Sequence, residues 1–465
     1  MYEYYYGNFV ICLQLHYTSS VEWDGVCHPQ YTLLHFGGTV GHYLWCYRDC
    51  KRDKPFTMYD LNTFLSDRKQ MVSLEQVYSS LRRVVDPELH KDIVSMGMIK
   101  DLSINGDKVG FTLELTTPAC PFNTEIEQDV RNTIAELGVS DLDLKVTARV
   151  MEGRAISMDE LLPGVKNILA VASGKGGVGK TTVSVNLAIS LAKTGAKVGL
   201  LDADIYGPSV PLMFGLKDAP QVINNKIEPI VSEGVKIISM GFFYEQSQQA
   251  GIYRGPIVSG IVKQFLTDVN WGDLDYLIID LPPGTGDAPL TLTQTIPITG
   301  IIIVTTPQDV AMNVAVKAIG MFNKLNVPIV GVIENMSYLE CPQCENKISI
   351  FGAGGGQKVS EKFNIPFIGQ IPLHPQIMVG SDSGKPVTIA EPASSNSMVF
   401  DKITRTVAGR VSIIAEELKE QAERDRQIEL KQEEKIEGRH DETVGRPTED
   451  QRTAAPPQPQ DANQT

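Results

Sequence analysis

The amino-acid sequence predicts an α/β protein whose central sheet is doubly wound and mostly parallel, with helices on both faces. Three observations support this prediction. Apolar runs typical of buried strands alternate with helical patterns over the central part of the chain. A glycine-rich turn joins the first of these strands to the first helix, and two later strands end in carboxylates. Ligands bind outside the carboxyl ends of the strands in such sheets, so we expect a nucleotide site at that edge.

The elements of the sheet are expected in strict alternation. The strands are predicted at residues 167–172, 197–201, 276–280, 300–305 and 328–332, and the helices at 183–192, 310–325 and 357–363. Each crossover carries a helix over the sheet, which buries the parallel strands on both faces and explains their continuous apolar character.

The turn after the first strand has the pattern of a phosphate-binding loop. Residues 173–182 read SGKGGVGKTT and match GxxxxGK[ST] in the strand-to-helix context that the motif requires. Backbone N–H groups there form an anion site, Lys180 places a charge on the β- and γ-phosphates, and Thr181 offers its hydroxyl to Mg²⁺. The residues expected to bind ATP are Gly174, Lys175, Gly176, Gly177, Val178, Gly179, Lys180, Thr181 and Thr182. The sequence is therefore that of a P-loop NTPase, although this cradle does not explain Lys175.

Carboxylates follow the second and third predicted strands. Asp280 closes the third strand in the Walker B arrangement, which holds Mg²⁺ directly or through water. Asp202 and Asp204 follow the second strand, and from spacing alone either one could be the carboxylate that acts at the nucleotide site. Residues 281–287 read LPPGTGD, a preset turn suited to sensing a γ-phosphate, and Asp287 is expected to cap or solvate that turn.

Together these segments resemble the Mrp/ApbC group of deviant-Walker P-loop ATPases, which are iron-sulfur cluster carriers. The resemblance runs from about residue 165 to about residue 391 and rests on GKGGVGKTT, LDADIYGPS, RGP, DLPPGTGD, TTPQDVA and GVIENMS. The wider class also includes MinD, ParA and the nitrogenase iron protein. The resemblance thus agrees with the fold that the strand pattern predicts.

The resemblance implies specific roles for individual residues. Lys175 would reach across a dimer interface to the partner's nucleotide, and Asp204 would orient the attacking water. Asp280 would support Mg²⁺, and Asn335 matches the asparagine that reads adenine in the family. The expected catalytic residues are therefore Lys175, Lys180 and Asp204, while Asp280 and Asn335 are expected to bind the nucleotide and its metal.

A pair of cysteines lies just after the last of these segments. Residues 338–344 read YLECPQC, so the CxxC spacing offers only two thiolates, Cys341 and Cys344. Tetrahedral Cys₄ sites and cubane clusters need four, and a two-fold symmetric dimer would supply the second pair. The alternatives are a zinc site, a redox dithiol or a turn with idle thiols, and spacing alone does not choose between iron and zinc. In the resembled family the motif bridges a [4Fe–4S] cluster between protomers.

The pattern divides the chain into four segments. We expect an extension at residues 1–70, a small α/β domain at 71–155, the ATPase domain at 164–418 and a charged, largely disordered tail at 419–465. In the small domain, helices are expected at 74–85 and 124–137 and strands at 109–115 and 142–150. A helix at 398–418 closes the ATPase domain and frays into the tail.

The small domain resembles the iron-sulfur assembly domain often fused in front of Mrp proteins. Its loop TTPACP contains Cys120, which follows a strand and lies near a predicted helix N-terminus. Such a helix end would lower the pKa of the thiol and favour a thiolate ligand or a transient cluster contact. The alternative is a small, buried apolar residue.

The extension has no sustained periodicity. One interpretation is a metal-binding segment built on His42, Cys46 and Cys50, and the other is a poorly structured leader preceding a start at Met58 or Met71. The segment lacks the basic start of a secretory signal and fits a transit peptide poorly.

Composition limits the classes of partner. The formal charge of −14 and the sequence pI near 5.1 disfavour nucleic acid and anionic membranes as partners. Seven cysteines without the spacing of a disulfide framework fit a reducing compartment, and no apolar run is long enough to cross a membrane. We therefore expect a cytoplasmic protein.

The resulting hypothesis is a homodimeric ATPase that uses ATP and Mg²⁺, holds a [4Fe–4S] cluster at its two-fold axis and exchanges it with scaffold proteins and apo-proteins. One rival is a positioning switch of the ParA/MinD kind without a cluster. The other is a reductant like the nitrogenase iron protein, which the close CxxC spacing disfavours.

Overall fold

The protein comprises two compact units, residues 1–71 and 72–465. The computed structural model describes residues 2–6, 9–13, 31–35, 43–47, 72–105, 108–153, 162–243, 255–341, 343–344 and 346–444. Of the helices in these ranges, none combines the length and the apolar character that crossing a bilayer requires.

The first unit contains two antiparallel hairpins that the sequence pattern did not predict. Strand β1 (Tyr2–Tyr6) pairs with β2 (Phe9–Leu13), and β3 (Tyr31–His35) pairs with β4 (Tyr43–Tyr47). Of the three residues of the metal-binding interpretation, His42 and Cys50 lie outside the described residues. The role of this unit stays a prediction.

The small domain has a three-stranded sheet covered by two helices. In chain order its elements are α1 (Leu74–Leu81), β5 (Ile99–Asn105), β6 (Lys108–Leu115), α2 (Asn123–Glu136) and β7 (Asp141–Ala148). Strand β6 lies in the centre, antiparallel to β5 and parallel to β7. Alternate residues of β6 are buried against both helices, which is the pattern of a strand with one face on a core. The two predicted helices and two predicted strands are confirmed, and β5 is an addition.

The ATPase domain alternates strands and helices along the chain. Its strands are β8 (Val165–Ser173), β9 (Val198–Asp202), β10 (Gln221–Ile223), β11 (Lys226–Glu228), β12 (Ile230–Ser232), β13 (Val235–Ser239), β14 (Leu274–Asp280), β15 (Gly300–Thr305), β16 (Ile329–Glu334), β17 (Leu339–Glu340), β18 (Lys347–Ile348) and β19 (Phe367–Gln370). Its helices are α3 (Lys180–Lys193), α4 (Val210–Met213), α5 (Gly255–Thr267), α6 (Asp287–Thr295), α7 (Asp309–Lys324), α8 (Gly355–Phe363), α9 (Pro375–Asp382), α10 (Val387–Ala390) and α11 (Ser395–Val444). All five predicted strands and all three predicted helices are confirmed to within a few residues.

The large sheet has eight strands in the order β12-β13-β9-β14-β8-β15-β16-β19. Every neighbouring pair is parallel except β12 with β13. Strand β8, which leads into the glycine-rich turn, lies between β14 and β15. The carboxyl ends of β8, β9 and β14 therefore meet at one edge of the sheet.

The central strand contributes side chains to two separate cores. Leu169 and Val171 of β8 pack on one face of the sheet, whereas Ile168 and Ala170 pack on the other. Each core contains helices as well as strands, so both faces of the sheet are covered. This arrangement confirms the predicted doubly wound fold.

The small domain packs against the ATPase domain through a buried hydrogen bond and partly exposed ion pairs. The Thr117 and Tyr276 hydroxyls lie 3.1 Å apart in a buried hydrogen bond. Lys91 forms ion pairs with Glu416 and Glu420 of helix α11. Contacts of this kind fix the loop around Thr117 on the face of the large sheet.

Helix α11 is longer than the sequence pattern predicts. Its buried apolar face extends from Phe400 to Ala415, which agrees with the predicted helix at 398–418. The helix continues to Val444, and the side chains of residues 421–428 are exposed. Glu, Lys, Arg and Gln are strong helix formers, and pairs such as Arg424 with Glu420 support the exposed turns.

Candidate functional site

The glycine-rich turn has the backbone that a phosphate cradle needs. Strand β8 ends at Ser173, and helix α3 begins at Lys180 after Gly179. Gly177 and Gly179 have φ values of 79° and 83°, which few residues with a Cβ adopt. At Gly174 a Cβ would lie 2.5 Å from the backbone of Val314. The turn therefore brings the backbone N–H groups of α3 to the surface, where they form an anion site.

The predicted lysine, threonine and aspartate form one cluster around the buried Asp280 carboxylate. Lys180 Nζ lies 2.6 Å from Asp280 Oδ2, and the side chains of Lys180 and Asp280 are 6% and 0% exposed. Thr181 Oγ1 donates to the same oxygen at 2.7 Å. Ser184 Oγ, one helical turn on, donates to Asp280 Oδ1 at 2.6 Å. The predicted Mg²⁺ ligands Thr181 and Asp280 are thus adjacent, and their oxygens are the hard donors that Mg²⁺ prefers.

Two aspartates that spacing could not separate have different environments. Asp202 is buried and accepts hydrogen bonds from Ser239 Oγ at 2.9 Å and from the N–H groups of Asp204 and Val210. Burial, and secondarily the neighbouring Asp280, holds the pKa of Asp202 well above its ordinary value. The Asp202 carboxyl therefore organises the loop, and the partly exposed Asp204 is the one available to a ligand.

Asp204 faces a cleft of about 390 Å³. The opposite wall is the turn that follows β14 and includes Pro282, Pro283 and Gly286, so the two predicted loops meet here. Burial raises the pKa of the Asp204 carboxyl. The sequence predicts that Asp287 caps or solvates the turn; Gly286 is the N-cap of α6 instead, and Asp287 lies in the first helical turn, where a carboxylate complements the helix dipole.

Lys175 and Asn335 differ in burial. Lys175 is exposed, as expected of a side chain that reaches another molecule. Asn335 is buried; its Nδ2 donates to the Val178 carbonyl at 2.8 Å, and its N–H donates to the Thr305 carbonyl. Contact with the turn places Asn335 beside the nucleotide site, and adenine reading stays a prediction.

The cysteine pair lies on a small hairpin. Strands β17 and β18 pair antiparallel, and the Cys341 N–H donates to the Asn346 carbonyl at 3.0 Å. Backbone N–H groups of Gln343 and Cys344 donate to the Cys341 sulfur and, with the Cys344 thiol, hold its pKa below the ordinary value. Cys344 is exposed and Cys341 partly so. The hairpin thus offers two accessible thiols, one of them prepared to ionise.

Two thiols are half of the set that a cubane cluster requires. Within the described ranges, no group of three or more His, Cys, Asp or Glu side chains is arranged to hold a metal ion. The ligand chemistry of the hairpin fits iron or zinc, and both need further ligands from outside this pair.

Of the two interpretations of Cys120, the structure favours the small, buried residue over the thiolate ligand. Its side chain is 1% exposed, and Sγ lies 3.3 Å from Glu88 Oε2. Burial, the largest cause, and the neighbouring Glu88 carboxylate raise the pKa of Cys120 to about 12. The N–H of Phe122 donates to the sulfur and acts in the opposite direction, but it does not compensate. The nearby start of α2 therefore does not produce a thiolate.

Sequence reasoning missed Ser184 and the acceptor role of Glu334. Ser184 follows Lys180 by four residues, so helical spacing places it on the face toward β14. Glu334 directly precedes Asn335 and is completely buried. A carboxylate at the end of an apolar strand run was the available signal.

Comparison with known proteins follows the same division of the chain. The family model described as NUBPL iron-transfer P-loop NTPase matches residues 164–408, and the model for the iron-sulfur cluster assembly protein matches residues 74–141.

Several curated relatives resemble most of the chain. The iron-sulfur cluster carrier protein of Synechocystis sp. is 46% identical over 74% of this chain and 99% of its own length. That of Deinococcus radiodurans is 48% identical over 72% of this chain and 94% of its own length. The chloroplastic Fe-S cluster assembly factor HCF101 of Oryza sativa is 40% identical over 76% of this chain and 67% of its own length. Among solved structures, an Archaeoglobus fulgidus nucleotide-binding protein in complex with ADP is 40% identical over 52% of this chain and 93% of its own, with a TM-score of 0.46.

Proposed function

Because the chain belongs to the family of NUBPL iron-transfer P-loop NTPases, we propose that it is an ATP-hydrolysing iron-sulfur cluster carrier. In this proposal two copies hold a [4Fe–4S] cluster between them and transfer it to apo-proteins, with scaffold proteins as the source. The observation that carries the proposal is the combination of an assembled P-loop site and an accessible thiol pair in one domain. The names of the similar carriers from Synechocystis and Deinococcus support it.

The nucleotide site supports ATP hydrolysis by positioning and charge stabilisation. Lys180 would exchange its ion pair with Asp280 for the β- and γ-phosphates, whose charge it then balances. Thr181 and Asp280 would hold Mg²⁺, which neutralises charge on the phosphate oxygens. Asp204 borders the open cleft, so it is suited to orient the attacking water. The exposed Lys175 is available to the nucleotide of a second copy.

The thiol pair supports a cluster as cargo. A cubane cluster takes four thiolates, and an isologous dimer would bring Cys341 and Cys344 of both copies to one axis. Their exposure suits a cargo that must leave, because a buried cluster would need the hairpin to open first. We propose a homodimer for this reason.

The positioning switch is the alternative function. It predicts hydrolysis stimulated by DNA or lipid and no metal at the hairpin, whereas the chain's charge of −14 disfavours binding to DNA and to anionic membranes.

A reducing compartment such as the cytoplasm fits the free thiols, although one relative is named as chloroplastic.

Anaerobic reconstitution with iron and sulfide tests the proposal. We expect a broad absorption band in the blue region that is lost in Cys341→Ser and in Cys344→Ser. Cys120→Ser is the matched control and should keep the band, because its buried thiol is not available as a ligand. Stoichiometric zinc without colour, or a loaded protein that stays monomeric, would contradict the proposal. Transfer to an apo-acceptor, followed by recovery of the acceptor's activity, then separates a carrier from a reductant.

A further inference from the structure

The nucleotide site and the thiol pair are joined by a short, heavily bonded segment. Asn335 contacts the glycine-rich turn, and only five residues separate it from Cys341. The contact with the turn is close: a Cβ on Gly179 would lie 2.1 Å from Asn335 Nδ2. Any movement of the turn on phosphate binding therefore displaces the Asn335 amide.

The start of this segment is held by one buried carboxylate. Glu334 is 0% exposed and accepts three hydrogen bonds. The donors are Ser337 Oγ at 2.5 Å, the Gly356 N–H at 2.5 Å and Gln370 Nε2 at 3.1 Å. All three donors are neutral groups from three different places: the segment itself, the start of helix α8 and the end of strand β19. Glu334 therefore ties the segment to two elements of the sheet layer.

Among the residues that the structure describes, the Glu334 carboxylate has no ion-pair partner, which makes it a costly way to join three elements. An apolar residue would fill the same space at lower cost, but it would leave the Gly356 N–H and the Ser337 hydroxyl without their acceptor. Gly356 must also be a glycine here, because a Cβ would lie 2.9 Å from Glu334 Cβ. The arrangement is that of a specific positioning contact, since polar networks of this kind select one conformation.

The hydrogen bonds continue from Glu334 to the thiol hairpin. The Ser337 N–H donates to the Ile371 carbonyl, and the Leu373 N–H donates to the Tyr338 carbonyl. Lys347 of β18 lies 4.2 Å from the centre of the Tyr338 ring. Met336, between the two contacts, has a φ of 53°, a left-handed conformation that costs energy for such a residue. The segment is therefore a hydrogen-bonded path between the glycine-rich turn and the hairpin, with one strained residue within it.

We propose that Glu334 is a positioning residue that couples the nucleotide state of the P-loop to the exposure and geometry of Cys341. The inference rests on the proposed function, because it gives ATP a route by which it controls release of the cargo. By linkage, if nucleotide binding changes the affinity of the Cys341 site for its ligand, then occupation of that site changes the affinity for the nucleotide by the same factor.

The test uses the full chain without metal, so that it does not depend on cluster loading. The rate of Cys341 alkylation by iodoacetamide is measured by mass spectrometry with and without Mg²⁺ and ATPγS. We expect the nucleotide to change this rate in the wild-type chain by about fivefold or more, the lower range of coupling between sites. Glu334→Gln replaces one of the two acceptor oxygens by an NH₂ donor, so the three surrounding donors are left with one acceptor oxygen. In this variant the change should fall below about twofold while ATPγS still binds.

Two further variants make the result decisive. Glu361→Gln is the matched control: it is the same substitution on helix α8, at an exposed residue bonded to Gln357, and it should respond as the wild type does. Ser337→Ala removes one of the three donors and should give an intermediate response; it decides the question if Glu334→Gln fails to bind ATPγS. A wild-type chain without any response, or a full response in Glu334→Gln or in Ser337→Ala, overturns the coupling. Failure to load a cluster overturns the proposed function alone.

Discussion

The two thiol regions of the molecule look alike in sequence and differ in structure. Cys120 and Cys341 each follow a strand, and each is flanked by proline. In the small domain the thiol is buried against Glu88, which helps to raise its pKa to about 12. On the ATPase hairpin the thiol is partly exposed and receives backbone N–H groups, so its pKa falls. Neighbours in sequence therefore do not decide which cysteine becomes a ligand.

The difference shows which physical effect dominates. Both sulfurs accept backbone N–H groups, from Phe122 in one case and from Gln343 and Cys344 in the other. The cost of removing a thiolate from water is the largest cause acting on the pKa of Cys120 and the smallest acting on that of Cys341. At Cys120 this cost exceeds the gain from one N–H donor. Solvent exposure is thus the property that separates the accessible thiol, which we propose as a cargo ligand, from the buried one.

Alkylation with iodoacetamide at pH 8 gives the largest expected contrast between the two regions. A thiol with a pKa of about 12 is ionised roughly a thousandfold less than one at the ordinary value of 9.0. The greater nucleophilicity of its thiolate offsets roughly thirtyfold of this difference. We therefore expect Cys120 to react at least about thirtyfold more slowly than Cys341, and burial slows it further.

Denaturation provides the control for this contrast. In urea all cysteines lose their environments, so the labelling rates of Cys120 and Cys341 should converge. Similar rates in the native protein would mean that the Cys120 loop opens to solvent, which would contradict the contrast in burial between Cys120 and Cys341.

Much of the ATPase domain is predictable from local sequence. The glycine-rich turn, Lys180, Thr181 and Asp280 follow from a motif whose spacing is imposed by a strand, a turn and a helix. The parallel strands are apolar runs because helices bury them on both faces, so they are visible as patterns. Asp204 and the turn at 281–287 are predictable for the same reason, because both directly follow the end of a strand.

The features that sequence reasoning missed depend on distant residues. Burial of Cys120 comes from a domain contact in which Thr117 meets Tyr276, 159 residues away. The choice between Asp202 and Asp204 depends on Ser239, a residue on a strand that was not predicted. Short strands such as β12 carry too few residues to show a period, and tertiary pairing alone stabilises them.

Glu88→Gln sharpens the comparison by removing the charge beside Cys120. Both the charge and the hydrogen bond of Glu88 raise the pKa of the thiol, but burial is the larger cause. We expect alkylation of Cys120 to become about three- to tenfold faster, since one pKa unit is tenfold in ionisation. The exposed Glu125 on the following helix offers the matched control, Glu125→Gln, which should change nothing. A rise to the rate of Cys341 would show that charge, not burial, protects Cys120.

The smallest expected effect is the pH dependence of stability that Glu88 adds to the buried thiol region. Burial is the largest cause that raises the pKa of the Glu88 carboxyl above its ordinary value of 4.5, and the nearby Asp86 adds to it. The hydrogen bond from Cys120 lowers the pKa but does not compensate. A raised folded-state pKa means that this group's contribution to the free energy of unfolding is complete below pH 4.5 and is lost as the pH rises through the folded-state value. Glu88→Gln stays neutral, so its free energy of unfolding relative to wild type should increase between pH 4.5 and pH 7 in urea titrations. Glu125→Gln should run parallel to wild type. A relative stability of Glu88→Gln that falls with pH would instead mean that Arg410 stabilises the Glu88 carboxylate more than burial disfavours it.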